Sequence, residues 1–195
     1  MKKPNKSKEE KIPKVELKDL KIDQILLRSR NLFLFGAIDE PLAKTLIKEI
    51  LALNILNKLE HENTPILIRI NSGGGQISAG LSIIDAIKYV KAPIMTLISG
   101  EACSMAGLIS VMGDKRIMTK NSMWMAHPPA GGVRHDYFQF EKDRIRSLEL
   151  YEKIIEQILK KQTKLTRTEI KKAKNGELWL DAKECKKKGI VDHII

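Results

Sequence analysis

Three short runs rich in Ile, Leu and Phe constrain this fold more than any other feature. Leu32–Phe35, Ile66–Ile70 and Ile94–Ile98 each give way to glycine within three residues. Runs of this length and composition fit strands buried on both faces. Between them the apolar spacing changes to that of a helix: Leu42, Leu46, Ile50 and Leu53 in one segment reaching Leu59, then Leu81, Ile84, Ala86 and Ile87 in Ser78–Val90. Asp39 is placed to cap the first helix, with Pro41 in its opening turn. Alternating buried strands and helices predict an α/β fold around a mainly parallel sheet. Ligands of such sheets gather where strands end, which singles out two turns, Gly73–Gly75 and Gly100–Ser104.

The rest of the chain adds a short apolar helix near Ser104 and short strands at Arg116–Met118 and Met123–Ala126. A long amphipathic helix follows at Tyr137–Gln162, then a shorter one at Arg167–Ala173. Trp179 opens a last segment closed by a strand at Ile190–Val191. A length of 195 residues suits one domain. Residues 1–22 read as a flexible basic arm, with eight lysines in the first 21 positions, ahead of a domain over 23–195. No apolar run reaches membrane-spanning length, and the N-terminus has neither the apolar stretch of a secretory signal nor early arginines. Two cysteines, Cys103 and Cys185, make no disulfide framework, so a reducing, cytoplasmic setting is expected. The net charge of +11 invites a nucleic-acid partner, but aromatics are only 5% and none interleaves with the lysines, so none is expected.

Ser104 lies in Gly-Glu-Ala-Cys-Ser-Met-Ala-Gly between an apolar strand and an apolar helix. Small neighbours let a substrate approach a nucleophile there, and the Met105 amide would stand at a helix N-terminus, where unpaired N–H groups favour a developing oxyanion. A serine that merely caps the helix fits the same segment, and taken alone the segment favours the cap. Gly73–Gly75 could aim N–H groups at an anion, yet it matches neither the dinucleotide fingerprint nor the P-loop. His127, between an apolar strand and Pro128-Pro129, is rigidly placed, either as a general base or as a structural histidine. His61, His135 and His193 sit in polar connections or at the terminus. No spacing suits a metal, so neither metal nor cofactor is expected. Cys103 reads as small core filler instead of a thiol nucleophile.

Together these segments resemble the Clp protease proteolytic-subunit family. Its N-S-P-G-G loop resembles Asn71-Ser72-Gly73-Gly74-Gly75, and its G-x-A-A-S-M-G segment resembles Gly100–Ala106. Its M-I-H-Q-P resembles Met125–Pro129, and its closing A-x-E-A-x-x-x-G-L-x-D resembles Ala182–Asp192. The resemblance implies a crotonase-like fold of repeated β-β-α units with a protruding helical handle near Tyr137–Gln162. It implies a serine endopeptidase with Ser104 as nucleophile, His127 as base, and Gly75 and Met105 as oxyanion donors. It also implies self-assembly into rings, polypeptide substrates, and an ATP-driven Clp-type unfoldase as partner. Glu177 falls on the family's catalytic Asp within D-R-D-x-[FY], and phage-type members carry Glu-x-Trp there. Asn175 and Gly176 replace an acid and an arginine tied to ring contacts, and Gly73 replaces the family proline, which loosens the loop. Trp179 is expected to help keep the third carboxylate dry. Three other readings are a Ser–Lys dyad using Lys115 or Lys120, a non-catalytic ring paralogue, and an acyl-CoA enzyme of the same superfamily.

Overall fold

A computed structural model describes residues 21–129 and 138–195, with side chains left out of account at 138–141. The N-terminal arm therefore lies outside the described residues up to Lys21, as does the stretch Val133–Asp136. Helix α1 (Ile22–Arg28) leads into strand β1 (Asn31–Ile38). Helix α1 carries no mark in the sequence. Its N-cap is Lys21, whose side chain makes no capping bond, and no α1 side chain is buried, so neither cap nor stripe marks it.

From β1 the chain alternates: α2 (Glu40–Glu60), β2 (Ile66–Gly75), α3 (Ile77–Tyr89), β3 (Ile94–Cys103), α4 (Met105–Ser110), β4 (Lys115–Met118) and β5 (Met123–Ala126). Asp39 caps α2 by accepting from the Leu42 amide at 2.9 Å. Ala43, Leu46, Ile50 and Leu53 form the α2 stripe on the sheet, and each such buried Leu or Ile contributes about 1.5–3 kcal/mol. The strands answer with Leu32, Leu34, Ile66, Ile68, Ile70, Ile94 and Ile98, all buried. The α/β expectation is met: β1, β2, β3, β4 and a last strand β7 (His193–Ile194) stand in that order, every neighbouring pair parallel.

Two features differ from the sequence reading. Strands β2 and β3 do not stop at their glycines but run through them, to Gly75 and Cys103. Of these glycines, Gly74 and Gly75 serve close approach of backbones, not chain reversal. The end of the chain also differs. Strand β6 (Leu178–Asp181) pairs antiparallel with β5, helix α7 (Ala182–Lys187) follows, and β7 forms at His193–Ile194 instead of Ile190–Val191. Ile190 and Val191 are fully buried but serve as a plug after Gly189, which turns the chain with φ +62°.

On the side away from β2, strand β3 has two partners in succession. Met95–Ile98 pairs with β4, whereas Glu101–Cys103 pairs with β5. The split brings the end of β3, and Ser104 after it, between the tail of β2 and the β5–β6 pair. Helix α5 (Phe138–Gln162) then projects: from 142 to 157 none of its residues is buried, and among its described side chains Ile158 and Leu159 enter the core with Ile155 packed part-buried against it. Helix α6 (Arg167–Asn175) returns to β6.

Candidate active site

Ser104 joins β3 to α4 with φ 55° and ψ −123°. Positive φ is costly for a residue with a side chain, of order 1–3 kcal/mol, and persists only where surroundings enforce it. Here the Ser104 amide donates to the Met125 carbonyl at 2.8 Å, which ties the turn to β5. Ser104 occupies the N-cap position of α4, yet its side chain makes no capping bond. The simpler reading of this serine as a cap thus loses its support. The hydroxyl is free for chemistry on a strained strand-to-helix turn, the arrangement a nucleophile elbow requires. Met105, the first residue of α4, carries an amide with no partner within the helix.

The glycine loop packs directly on this turn. A Cβ at Gly74, whose φ is +97°, would lie 2.7 Å from the Cys103 carbonyl oxygen and 2.7 Å from Ser104 Cβ. At Gly75 it would collide with the Ile38 carbonyl oxygen. These two positions accept no side chain, while Gly73 and Gly75 are exposed on the pocket side of the loop. Gly75, Ser104, Met105 and His127 line one pocket of about 240 Å³, with Ile77 and Leu108 as apolar wall.

His127 follows β5 directly and is half-buried, as are Pro128 and Pro129. It shares the pocket with Ser104, although no hydrogen bond joins the two side chains. Strands β5 and β6 end on the pair Ala126–Leu178, so the next residues outward are His127 and Glu177. The Glu177 carboxylate accepts from the Trp179 indole N–H at 2.7 Å through Oε2. Trp179 is 44% exposed, so it holds this carboxylate instead of drying the site.

The rivals are placed elsewhere. Lys115 pairs with Met95 at the opposite end of β3 from Ser104, and the Lys120 amide bonds the Ile195 carbonyl at 3.0 Å. Neither lysine lines the pocket. Burial, then the nearby Glu101 carboxylate, push the Cys103 thiol up to about 12, so it stays protonated at neutral pH. Asp181 caps α7 by accepting from the Glu184 amide at 2.8 Å. Asp192 is held by the Arg116 guanidinium and amide. His61 ends α2 in the left-handed conformation and His193 lies in β7; His135 is outside the described residues.

A serine on a strained turn and a histidine in one pocket, with Gly75 and Met105 in its lining, fit acyl transfer, and comparison with known proteins agrees. Residues 14–195 match the model of the Clp protease family. The chain belongs to the Clp protease family. It is 33% identical over 175 residues to an ATP-dependent Clp protease proteolytic subunit of Streptococcus mutans, covering 87% of this chain and 86% of the relative. It is 31% identical over 174 residues to the protein of the same name from Lactococcus lactis subsp. cremoris, covering 87% and 85%. Clp protease membership is consistent with the mainly parallel α/β sheet. The acyl-CoA reading, from the same superfamily, gains nothing from this membership.

Proposed function

We propose that the pocket between Gly75, Ser104, Met105 and His127 is the peptide-cleaving centre of a serine endopeptidase. The chain is the proteolytic component of an ATP-dependent Clp protease. The observation that carries the site is Ser104 itself: a strained N-cap position whose hydroxyl caps nothing. Neutral His127 takes the Ser104 proton as Oγ attacks a peptide carbonyl carbon. The amides of Gly75 and Met105 hold the resulting oxyanion. Collapse breaks the C–N bond, and His127 returns the proton to the leaving amine. Water, deprotonated by His127, then releases the acyl group and restores Ser104. Glu177 keeps Oε2 on the Trp179 indole and presents Oε1 to the imidazole, which fixes its tautomer. The Ser104–His127 bond forms when substrate or a neighbouring subunit closes the pocket, since catalytic hydrogen bonds are often loose in a resting site.

The working form is a ring of copies in the cytoplasm, fed with unfolded polypeptide by an ATP-driven unfoldase. Apolar surface supports the assembly: Phe33 and Phe35 stand exposed edge to face at 5.5 Å on the sheet face opposite α2, and Ile145, Leu150 and Ile154 are exposed on α5. The glycine loop lacks the lysine and hydroxyl of a P-loop, so ATP hydrolysis falls to the partner. Among the described residues no helix is long and apolar enough to cross a membrane. A fluorophosphonate probe should label wild-type protein at Ser104, and Ser104→Ala should abolish both labelling and peptide cleavage with the fold unchanged. Full cleavage by that variant would sink this reading.

A further inference from the structure

The tail of β2 does not pair evenly with β1. Phe35 stands opposite Asn71 and Ala37 opposite Gly74, so Ser72 and Gly73 together face the single residue Gly36. Such a bulge bends the strand and leaves ladder groups without their usual partners, and bulges recur beside active sites. Ser72, 2% exposed, resolves this one. Its Oγ donates to the Gly36 carbonyl at 2.5 Å and accepts from the Gly74 amide at 3.1 Å. One hydroxyl therefore joins the two sides of the bulge. Asn71 does the same for the neighbouring irregularity between β2 and β3, where its Oδ1 accepts from the Glu101 amide at 3.1 Å.

The consequence reaches the nucleophile in two steps. The amide fixed by Ser72 belongs to Gly74, and the Cα of Gly74 lies against Ser104, too close for any side chain. The next amide along the chain is that of Gly75, which lines the pocket. Position 73 offers no stiffness of its own. Gly73 has no positive φ, and a Cβ there would meet nothing nearer than a Glu101 carboxylate oxygen at 3.5 Å. The site therefore tolerates a side chain but contains the most flexible residue.

We infer that Ser72 is a positioning residue for the oxyanion site: its hydroxyl, bonded to Gly36 and Gly74, sets the direction of the Gly75 amide relative to Ser104. This rests on the acyl-transfer reading of the pocket. An amide displaced by a fraction of an ångström donates poorly to a transition-state oxyanion while ground-state binding changes little. Loss of the Ser72 hydroxyl should thus appear in kcat and not in KM. Gly73→Pro, which fixes φ at a position that needs no special conformation, should replace part of the lost restraint.

The test uses full-length protein, a short fluorogenic peptide and a fluorophosphonate probe. Ser72→Ala should lower kcat and the rate of Ser104 labelling by roughly ten- to a hundredfold, with KM within about twofold of wild type. Ser72→Thr, which keeps the hydroxyl, should restore most of the rate, and Ser72→Ala with Gly73→Pro should recover part of it. If Ser72→Ala fails to fold, Ser72→Cys keeps the volume and should show the same kcat loss. Wild-type kcat in a folded Ser72→Ala or Ser72→Cys protein, or a loss confined to KM, overturns the proposal and leaves the Ser104 reading intact. Absence of probe labelling in wild-type protein takes both down.

Discussion

Ser104 holds a backbone conformation that few residues with a side chain adopt, and Gly74 makes that conformation fit by leaving its own Cβ out. Gly74→Ala would place a methyl group 2.7 Å from Ser104 Cβ, so cleavage should be lost even where circular dichroism shows a folded protein. Glu177 and Asp181 are the acids close enough in sequence to be confused, and the structure separates them. Asp181 accepts from the Glu184 amide as a helix cap, so Asp181→Asn should cost about 1 kcal/mol of stability or less and leave kcat near wild type. Glu177→Gln should lower kcat steeply, by up to roughly 10⁴-fold as in other triads, and Glu177→Asp should keep part of the rate. Steady-state kinetics on the three variants decides the assignment: a wild-type rate in Glu177→Gln would remove Glu177 from the triad. A His127→Gln variant tests the base in the same assay. It should be inactive, whereas Lys115→Met and Lys120→Met should cleave normally.

At the scale of elements, the site depends on strands that the sequence marks and on splices that it does not. The apolar runs of β1, β2 and β3, the Asp39 cap and the start of α4 at Ser104 were all legible, because each rests on local chemistry. The extensions of β2 and β3 through glycine were not, because a glycine that ends a strand and one that lets two backbones touch look identical in one sequence. Strand β6 was missed for a related reason: Leu178–Asp181 becomes a strand only through its partner β5. Asp192 shows how the C-terminal elements are fastened. Arg116 of β4 donates to it from Nη2 at 2.6 Å and from Nε at 3.1 Å, and through Nη1 to the carbonyls of Gln162 and Gly189. Hydrogen bonding from Arg116, against some burial, holds the Asp192 carboxyl below the usual range. A carboxyl whose pKa is lowered by folding stabilises the native state above its unfolded value near ~4, and that contribution is lost as pH falls through the lower folded value. Asp192→Asn should therefore cost roughly 1–2 kcal/mol at neutral pH, discounted because the carboxylate is a third exposed. The difference from wild type in urea midpoint should shrink below about pH 4; a gap that stays constant down to pH 2 would show that the charge contributes nothing.

At the scale of the whole molecule, one subunit leaves more apolar surface open than its own core requires. Phe33 and Phe35 project from the sheet on the side away from α2, and α5 extends for most of its length without a buried side chain. A monomer seldom exposes apolar patches of this kind without a partner to cover them. Asn175 and Gly176, at the C-terminal end of α6, carry no charge, so in the proposed ring the affinity between copies should come mainly from apolar contact. Apolar association weakens on dilution but resists salt, whereas a ring held by ion pairs would loosen as ionic strength rises. Light scattering over a range of protein concentration should show an oligomer that persists at 1 M salt and dissociates on dilution. Phe33→Asp with Phe35→Asp should give a folded subunit that no longer assembles, because two charges would then have to be buried at the contact. Peptide cleavage should fall with the oligomer if closing of the Ser104–His127 gap depends on a neighbour. Cleavage at the wild-type rate by a proven monomer would separate the two, and would place the whole of the catalytic geometry within one subunit.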